Sequence, residues 1–407
     1  MINKTLIILS CFLTLLVVIS AIVHEIGVNQ HLYVIDIDNA EKNDEILLSE
    51  ICSNVKTIIL ETNDSVLIKQ DGGVQVYKDY IFVLNKSDDA CLYAFSKEGR
   101  FIRKYGNRGN GPGEYLSIKD FTIDTENDII YLMDDDANQI LLYDINTGKY
   151  MNKIKLERKT FNCFHLQYNN NKLYTDINYW HINESGCMLQ KIDQTTGQQQ
   201  QCWLDPQYNK GWNGGISIID RLEESPFYVR HQEACKYIFY FADTIISIGK
   251  NQIESYAVIK EKNWITSKDI SQIAEDLNYD KVQTFQTIRN KGFSYNINSY
   301  MEWNDFISFF YIKNHYKYFV LYNKKTGKTR TTQSLTNDMA YGKPWIVNGF
   351  SCSDENGLYE IIGMFSLNRY LERIKEDNFL KRSLDKYEEL KNLPEDTNPV
   401  IFYYEFK

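Results

Sequence analysis

Residues that break regular structure or bind metals are scarce in this chain. Its 407 residues include only 6 prolines, 6 tryptophans and 6 histidines. Positive charge is not in excess either, because 54 acidic residues outnumber 45 basic ones and give a net charge of −9. Nucleic-acid binding requires basic patches, so this balance argues against that function. Tyrosine (30) and phenylalanine (21) are abundant instead, and since both favour strands, the composition predicts a β-rich core.

The eight cysteines show neither metal-site spacing nor a regular disulfide framework. No pair is spaced as CxxC or CxxH, which zinc sites and thioredoxin-like motifs require. We therefore expect no metal and no other cofactor. Most of these cysteines are expected to be small buried side chains. One disulfide within Cys163–Cys202 is an alternative in an oxidising compartment.

The N-terminal segment predicts export. Thr5–Val23 is uncharged and mostly apolar, close to the ~20 residues that a membrane-crossing helix needs. Lys4 precedes it and Glu25 follows it, which favours an N-terminus inside the cytoplasm and the rest of the chain outside. Cys11 lies too early for a lipoprotein signal. We expect residues 1–23 to be a signal peptide or membrane anchor, and 24–407 to lie in the periplasm or cell envelope.

A repeated turn divides the exported part of the chain into units. Gly99, Gly148 and Gly197 recur at intervals of 49 residues, and a fourth copy ends at Gly327. Each unit contains four short strands, which is typical of a propeller blade. We therefore predict an all-β fold, a six-bladed β-propeller. The predicted blades are Val76–Tyr105, Ile118–Leu156, Phe161–Trp203, Tyr228–Ile259, Ser294–Gln333 and a last one from Ile346.

Strands at both ends of the chain are expected to close the ring. Val400–Phe406 would complete the last blade, and Val55–Glu61 would pair with another blade, which removes exposed strand edges. Two helical insertions interrupt the period, at about 266–290 and 369–393. They carry apolar residues at helical spacing. We expect them to cover a blade edge, with a lid or a partner-binding surface as the alternative.

Three segments resemble a known family: Leu48–Thr62, Leu92–Asp124 and Glu395–Lys407. The family consists of six-bladed β-propeller proteins of unknown function, abundant in Bacteroides and related bacteria. The resemblance implies NHL-like blades and an exported, commonly lipid-anchored protein, and it brings no established enzymatic activity. Its most specific part is a glycine-rich loop with the signature residues Gly109, Gly111, Pro112, Gly113, Glu114 and Tyr115.

Two motifs have a structural and a functional interpretation. The glycine-rich loop could form an anion-binding nest, but we favour a link between blades in which Glu114 accepts hydrogen bonds from loop amides and Tyr115 anchors the turn. Asp134–Asp136 could bind Ca²⁺. The order of acidic residues in known calcium loops is missing, so a solvated turn is the preferred interpretation.

The function predicted from these features is non-catalytic binding. Exposed aromatics beside Asn, Gly and Arg can stack on sugars or peptides, and the candidates are Trp212, Trp345 and Trp180. A propeller face would then bind a glycan, a peptide or an envelope protein. The membrane would be a further partner if the N-terminal segment is retained.

The alternative is a propeller enzyme, a lyase or hydrolase acting on a polysaccharide or peptide. In that hypothesis His181, His231 and Arg230 converge at the channel as acid/base and carboxylate-binding groups. Their convergence rests on analogy of fold, which is weak evidence for function.

Overall fold

Six antiparallel sheets surround a central channel in the computed structural model. The structure describes residues 32–69, 71–87, 89–157, 163–177, 186–212, 225–230, 233–249, 252–339, 345–375, 387–394 and 396–407. The six sheets confirm the predicted all-β fold, a six-bladed β-propeller. We number the blades along the chain and count the strands of each blade outward from the channel.

The strand bounds follow the predicted period closely. Blade 1 contains Asp71–Tyr77, Tyr80–Asn85, Cys91–Ser96 and Phe101–Tyr105. Blade 2 contains Ile118–Asp124, Ile129–Asp134, Gln139–Asp144 and Tyr150–Lys155. Blade 3 contains Cys163–Asn169, Lys172–Ile177, Leu189–Ile192 and Gln199–Trp203. Blade 4 contains Phe227–Tyr228, Cys235–Ile238, Thr244–Ile248 and Ile253–Lys260. Blade 5 contains Ser294–Trp303, Phe306–Lys313, Tyr316–Asn323 and Thr329–Thr332.

Blade 6 joins the two ends of the chain and closes the ring. Its strands are Cys352–Ser353, Gly357–Ile362, Val400–Phe406 and the N-terminal Cys52–Ile59. Val400 pairs with Ile59, and the antiparallel register continues to Phe406 opposite Cys52. The ring is therefore closed by hydrogen bonds between residues almost 350 positions apart in sequence, as the two terminal strands predict.

The N-terminal chain also reinforces two other blades, which the sequence did not predict. Tyr33–Asp36 pairs in parallel with the outer strand of blade 4. Glu41–Lys42 pairs in parallel with the outer strand of blade 5. A small sheet beside them joins Ile46–Leu47, Leu335–Asn337 and Trp345–Ile346. The chain thus runs along the rims of blades 4 and 5 before it enters blade 6.

The repeated glycines close the turn between the third and fourth strands of blades 1, 2, 3 and 5. Gly99, Gly148, Gly197 and Gly327 all have a positive φ, between 69° and 89°, a region that costs glycine little and other residues more. In blade 3 the side chain of Asp193 accepts hydrogen bonds from the two backbone amides before the glycine. The 49-residue period is therefore the period of one local hydrogen-bonding device.

Aromatic side chains fill the space between neighbouring sheets. Phe82 of blade 1 lies 6.4 Å from Phe121 of blade 2, measured between ring centroids. Tyr131 of blade 2 stacks on Tyr168 of blade 3 at 5.4 Å. Such pairs contribute ~0.5–1.5 kcal/mol each beyond the area they bury. Part of the excess of tyrosine and phenylalanine is thus located in the packing between blades.

Four of the five described α-helices lie in the two predicted insertions, with different bounds. The five are Leu48–Ile51 before blade 6, Ser267–Asp276 and Lys281–Asn290 between blades 4 and 5, and Met364–Lys375 and Tyr387–Lys391 within blade 6. The first insertion is two helices because Asn278 and Tyr279 have positive φ and Asp280 caps the second helix through the Gln283 amide. None of the described helices is both long enough and apolar enough to span a bilayer.

A disulfide joins Cys187 to Cys202 in blade 3. The two cysteines are 15 residues apart and lie within the range in which the sequence allowed one bridge. The other described cysteines, Cys52, Cys91, Cys163, Cys235 and Cys352, are unbridged. Four of these five are buried, as expected for small apolar side chains.

Candidate binding site in the central channel

The channel encloses a cavity of about 1900 Å³, lined by residues from all six blades. The first strand of every blade runs in the same direction along the channel. The turns between first and second strands therefore lie at one end, which we call the first mouth. Its lining residues include Lys78, Glu126, Asn170, Arg230 and Asp354. The opposite end is the second mouth. We define it by Tyr240, Asn296, Asn298, His315, Lys317 and Asn348.

Hydrogen bonds between neighbouring blades hold the channel wall. In each, a side chain of one blade reaches the backbone of the next. The bonds are Gln75 Nε2 to the Phe121 carbonyl (2.9 Å), the Tyr168 amide to Thr122 Oγ1 (3.0 Å), Asn169 Nδ2 to the Glu233 carbonyl (3.1 Å) and the Tyr228 hydroxyl to the Glu302 carbonyl (2.8 Å). The wall is therefore preorganised around the cavity.

The wall of blade 5 at the second mouth has an irregular backbone. Two β-bulges interrupt its first strand, between Tyr295 and Asn298 and between Asn298 and Met301. Asn296 and Ser299 have positive φ values of 60° and 46°. Bulges often re-aim side chains next to functional sites, and such backbone strain is concentrated at binding and active sites. The bulges thus mark this wall as a candidate site.

A cation and an aromatic ring complete the second mouth. The ammonium of Lys317 donates to the Asn348 carbonyl and lies 4.6 Å from the centre of the Phe310 ring. Tyr240 lies in a turn of blade 4, and its carbonyl accepts the Asn296 amide at 2.8 Å. The mouth therefore combines amide groups, a partly exposed ring and a positive charge.

The first mouth has charges of both signs that neutralise each other. Arg230 lies 3.7 Å from Glu233, and Lys97 lies 3.7 Å from Asp354. The carboxylate of Asp354 also accepts the Gly357 amide at 2.9 Å. These contacts indicate that the charged residues of the first mouth shape the turns around the channel.

A buried carboxylate–imidazole pair lies elsewhere in the ring, in blade 3. His165 is 1% exposed, and its Nδ1 lies 3.0 Å from Asp176 Oδ2. Its Nε2 is buried and has no hydrogen-bond partner among the described residues. Asp120 of blade 2 faces the same region, and burial raises the pKa of its carboxyl, an effect that His165 and Lys86 oppose. Sequence reasoning missed this pair, although His165 is a polar residue in a mostly apolar strand.

A second buried ionic network joins blades 4 and 5. Glu302, 2% exposed, accepts the Lys324 ammonium at 2.7 Å and the hydroxyls of Tyr256 and Tyr300. Burial opposes ionisation of Glu302, but Lys324 outweighs it, so the pKa of Glu302 is lowered. Burial also lowers the pKa of Lys236, whose ammonium lies 3.9 Å above the Tyr256 ring. This network fixes the contact between the two blades.

The residues proposed for catalysis are only partly described. Arg230 lines the first mouth, as that hypothesis requires. His181 and His231 lie outside the described residues, so their convergence with Arg230 stays a prediction.

The structure corrects one of the three candidate aromatic binders. Trp212 is 4% exposed and packs edge-on against Tyr279 of the first helical insertion, with 5.5 Å between ring centroids. It belongs to the core because the insertion covers it. Trp180 and the side chain of Trp345 lie outside the described part of the chain.

The glycine-rich loop does not line the channel. Glu114 Oε2 accepts the Gly111 amide at 2.7 Å, and Tyr115 is 1% exposed, which are the contacts of the structural interpretation. The Tyr143 hydroxyl donates to the Gly113 carbonyl at 2.7 Å. A side chain at Gly109 would overlap the Glu114 carboxylate. These contacts make the loop a link between blades 1 and 2.

The acidic run Asp134–Asp136 also has a structural explanation. Asp134 is fully buried and accepts the Leu116 and Ser117 amides, both at 3.1 Å. Within the described residues, no group of three or more His, Cys, Asp or Glu side chains could hold a metal ion.

A family model for a domain of unknown function (DUF4934) matches residues 32–405, and the chain belongs to this family. A Bacteroides fragilis protein named as an exported protein is similar in structure, with a TM-score of 0.70, 18% identity, and coverage of 92% of this chain and 99% of that one. A member of the DUF4221 family from Bacteroides vulgatus has a TM-score of 0.50, 10% identity, and coverage of 87% and 96%. These likenesses concern the fold. A comparison with curated proteins finds no match.

Proposed function

We propose that this DUF4934 protein is an exported, non-catalytic binding protein that takes a polar ligand into its central channel. The observation that carries the proposal is the open cavity of about 1900 Å³, which is larger than the usual range of ligand sites, ~300–1,000 Å³. Its lining includes the amide side chains of Gln75, Gln167, Asn296, Asn298 and Asn348. Amides both donate and accept hydrogen bonds, which suits the hydroxyls of a glycan or the backbone of a peptide.

Two observations support export. The disulfide between Cys187 and Cys202 is a feature of proteins outside the reducing cytoplasm. The similar Bacteroides fragilis structure is named as an exported protein. Attachment through Thr5–Val23 would hold the propeller at the envelope, but that segment lies outside the described residues.

The test is a binding screen of the full chain against glycan and peptide arrays, followed by a variant that narrows the channel. Asn348→Trp places an indole at the second mouth, where Asn348 is exposed. Lys325→Trp is the matched control, because Lys325 is 73% exposed and lies away from the cavity. We expect loss of binding in the first variant only. A ligand that binds both variants equally, or no ligand at all, would contradict the proposal.

The His165–Asp176 pair favours a second candidate function, a hydrolase or lyase. A carboxylate that orients an imidazole is a common acid/base arrangement, and Asp120 lies nearby. The imidazole is buried, so a substrate would reach it only if the wall opens, which places this candidate second. Release of products from a polysaccharide or peptide by the wild type, and its loss in His165→Ala, would establish this function.

A further inference from the structure

The charged residues of the cavity are unevenly distributed. Among the described residues, the carboxylates that line it are Asp120, Glu126, Asp354 and Glu355. Glu126, Asp354 and Glu355 belong to turns at the first mouth. Asp120 lies in blade 2, across the ring from blade 5. The described lining of the second mouth on blades 4 and 5 therefore contains the cation Lys317 without a carboxylate.

Lys317 is held in one position. Its ammonium lies over the Phe310 ring, 4.6 Å from the ring centroid, and is hydrogen-bonded to the Asn348 carbonyl. A charge that is already positioned loses little side-chain entropy when a ligand binds. This favours recognition of an anionic group over a passive role in solubility.

The neighbouring groups suit a sugar ring. The Asn296 amide ties the bulged strand to the turn that carries Tyr240. Asn298 Nδ2 donates to the Asn296 carbonyl at 3.0 Å, while Asn298 Oδ1 has no hydrogen-bond partner among the described residues. Asn296 and Asn298 both line the cavity, where side-chain amides can hydrogen-bond to the hydroxyls of a ligand. Tyr240 adds a partly exposed ring on which a sugar face can stack.

We infer that the second mouth binds an acidic sugar residue of a glycan, with Lys317 at its carboxylate and with Tyr240, Asn296 and Asn298 around its ring and hydroxyls. This inference rests on the proposed binding function and names the ligand class. An acidic peptide would satisfy Lys317, but it would not use an aromatic ring flanked by amides in the same way. It is therefore the competing outcome of the test.

The experiment is calorimetric titration of the full chain with trigalacturonate, its methyl ester and a triglutamate peptide. The methyl ester keeps the sugar rings and removes the charges. Lys317→Met keeps an unbranched apolar side chain of similar length and removes the ammonium. Lys325→Met is the matched control, because Lys325 is an exposed lysine that lies away from the cavity. Asn298→Asp is a second variant, which places a carboxylate beside the sugar.

We expect trigalacturonate to bind the wild type and the Lys325→Met variant alike. The loss of one charge-assisted contact weakens binding about tenfold to hundredfold, which is the result expected for Lys317→Met. Asn298→Asp and the methyl ester should also bind weakly, and unchanged melting temperatures would show that the variants fold.

Three outcomes would overturn the inference. Equal binding of trigalacturonate and its methyl ester, with no effect of Lys317→Met, would leave the channel as a binding site and refute the acidic sugar. Preferential binding of triglutamate would assign the mouth to peptides. Binding of no saccharide or peptide at all, in the arrays as well as in the titrations, would refute the proposed function itself.

Discussion

A buried carboxyl in blade 6 makes the stability of the propeller depend on pH. Glu360 is 5% exposed and accepts the hydroxyl of the fully buried Tyr404 at 2.6 Å. Burial raises the pKa of Glu360 from 4.5 to about 8, although the Tyr404 hydrogen bond opposes the shift. In the unfolded chain this carboxyl ionises near pH 4.5. Between that pH and about 8, the native state therefore binds more protons than the unfolded state, and stability falls as pH rises.

The size of the effect follows from these two pKa values. The free energy of unfolding changes by ~1.4 kcal/mol per pH unit for one proton, so the Glu360 contribution falls by ~3 kcal/mol between about pH 5.5 and 7.5. An unfolding entropy of ~2.1 cal/mol/K per residue gives roughly 0.8 kcal/mol per degree for a domain of this size. The corresponding fall in melting temperature is ~3–4 °C. Glu360→Gln removes the titrating group and this part of the pH dependence.

The assay is thermal unfolding of the wild type and of Glu360→Gln, followed by circular dichroism at several pH values across that range. The difference between the two melting temperatures should shift in favour of Glu360→Gln as pH rises. Glu405→Gln is the control on the neighbouring strand of the same blade, because Lys56 lowers the pKa of Glu405. The stability that ionised Glu405 contributes is lost only at acidic pH, below this range. The difference in melting temperature between the wild type and Glu405→Gln should therefore stay constant across the range. A constant difference for Glu360→Gln as well would refute the reasoning.

Three further predictions concern stability. Gly106→Ala should lower the free energy of unfolding by ~1–3 kcal/mol more than Gly327→Ala, as measured by chemical denaturation. Both glycines have positive φ, but an added Cβ would overlap the Tyr143 hydroxyl only at Gly106. Cys187→Ser should lower the free energy of unfolding by ~3 kcal/mol, because the native disulfide closes a loop of about 15 residues. A reducing agent should not lower the stability of this variant further. Lys324→Met should lower the free energy of unfolding by ~3–5 kcal/mol, since it removes the ammonium that pairs with the buried Glu302 carboxylate. Adding Glu302→Gln should recover much of this loss. A double variant no more stable than Lys324→Met would contradict the prediction.

The repeat was readable from the sequence because blades 1, 2, 3 and 5 use a similar turn. A turn such as Asp193–Gly197 needs a side-chain acceptor at its start and a glycine at its end. Both are visible as letters at fixed spacing. Alternating apolar strands between such turns then predict one blade after another, and the apolar strand Val400–Phe406 at the terminus predicts closure.

The pairing of Tyr33–Asp36 with blade 4 could not be predicted in this way. The strand has four residues, and its parallel partner lies more than 200 residues away. Neither a turn nor a period relates the two segments. Tertiary contact alone selects this pairing. The same is true of Trp212, which lies beside glycines like a loop residue and packs against Tyr279 in the turn between two distant helices.

The candidate site was missed because bulges change which side chains share a face. A regular strand alternates sides, and the two bulges around Asn298 break that alternation in the first strand of blade 5. One signal was available, since Asn296 and Asn298 flank Ile297 in a strand that is otherwise rich in large apolar residues. Polar residues at alternate positions of an inner strand face the channel. The binding candidates chosen from the sequence were aromatic residues in loops, and none of them lies in this strand.

The family signature and the candidate site are separate parts of the molecule, and this separation limits what the family match can predict. Gly109 and Glu114 act on each other within the loop that links blades 1 and 2, away from the cavity lining. Asn298 and Lys317 lie in blade 5, on the far side of the ring. A chain can keep the loop and the closure of blade 6 while its second mouth has different side chains. We therefore expect the signature to identify the fold, and the residues of the second mouth to determine which ligand each such propeller binds.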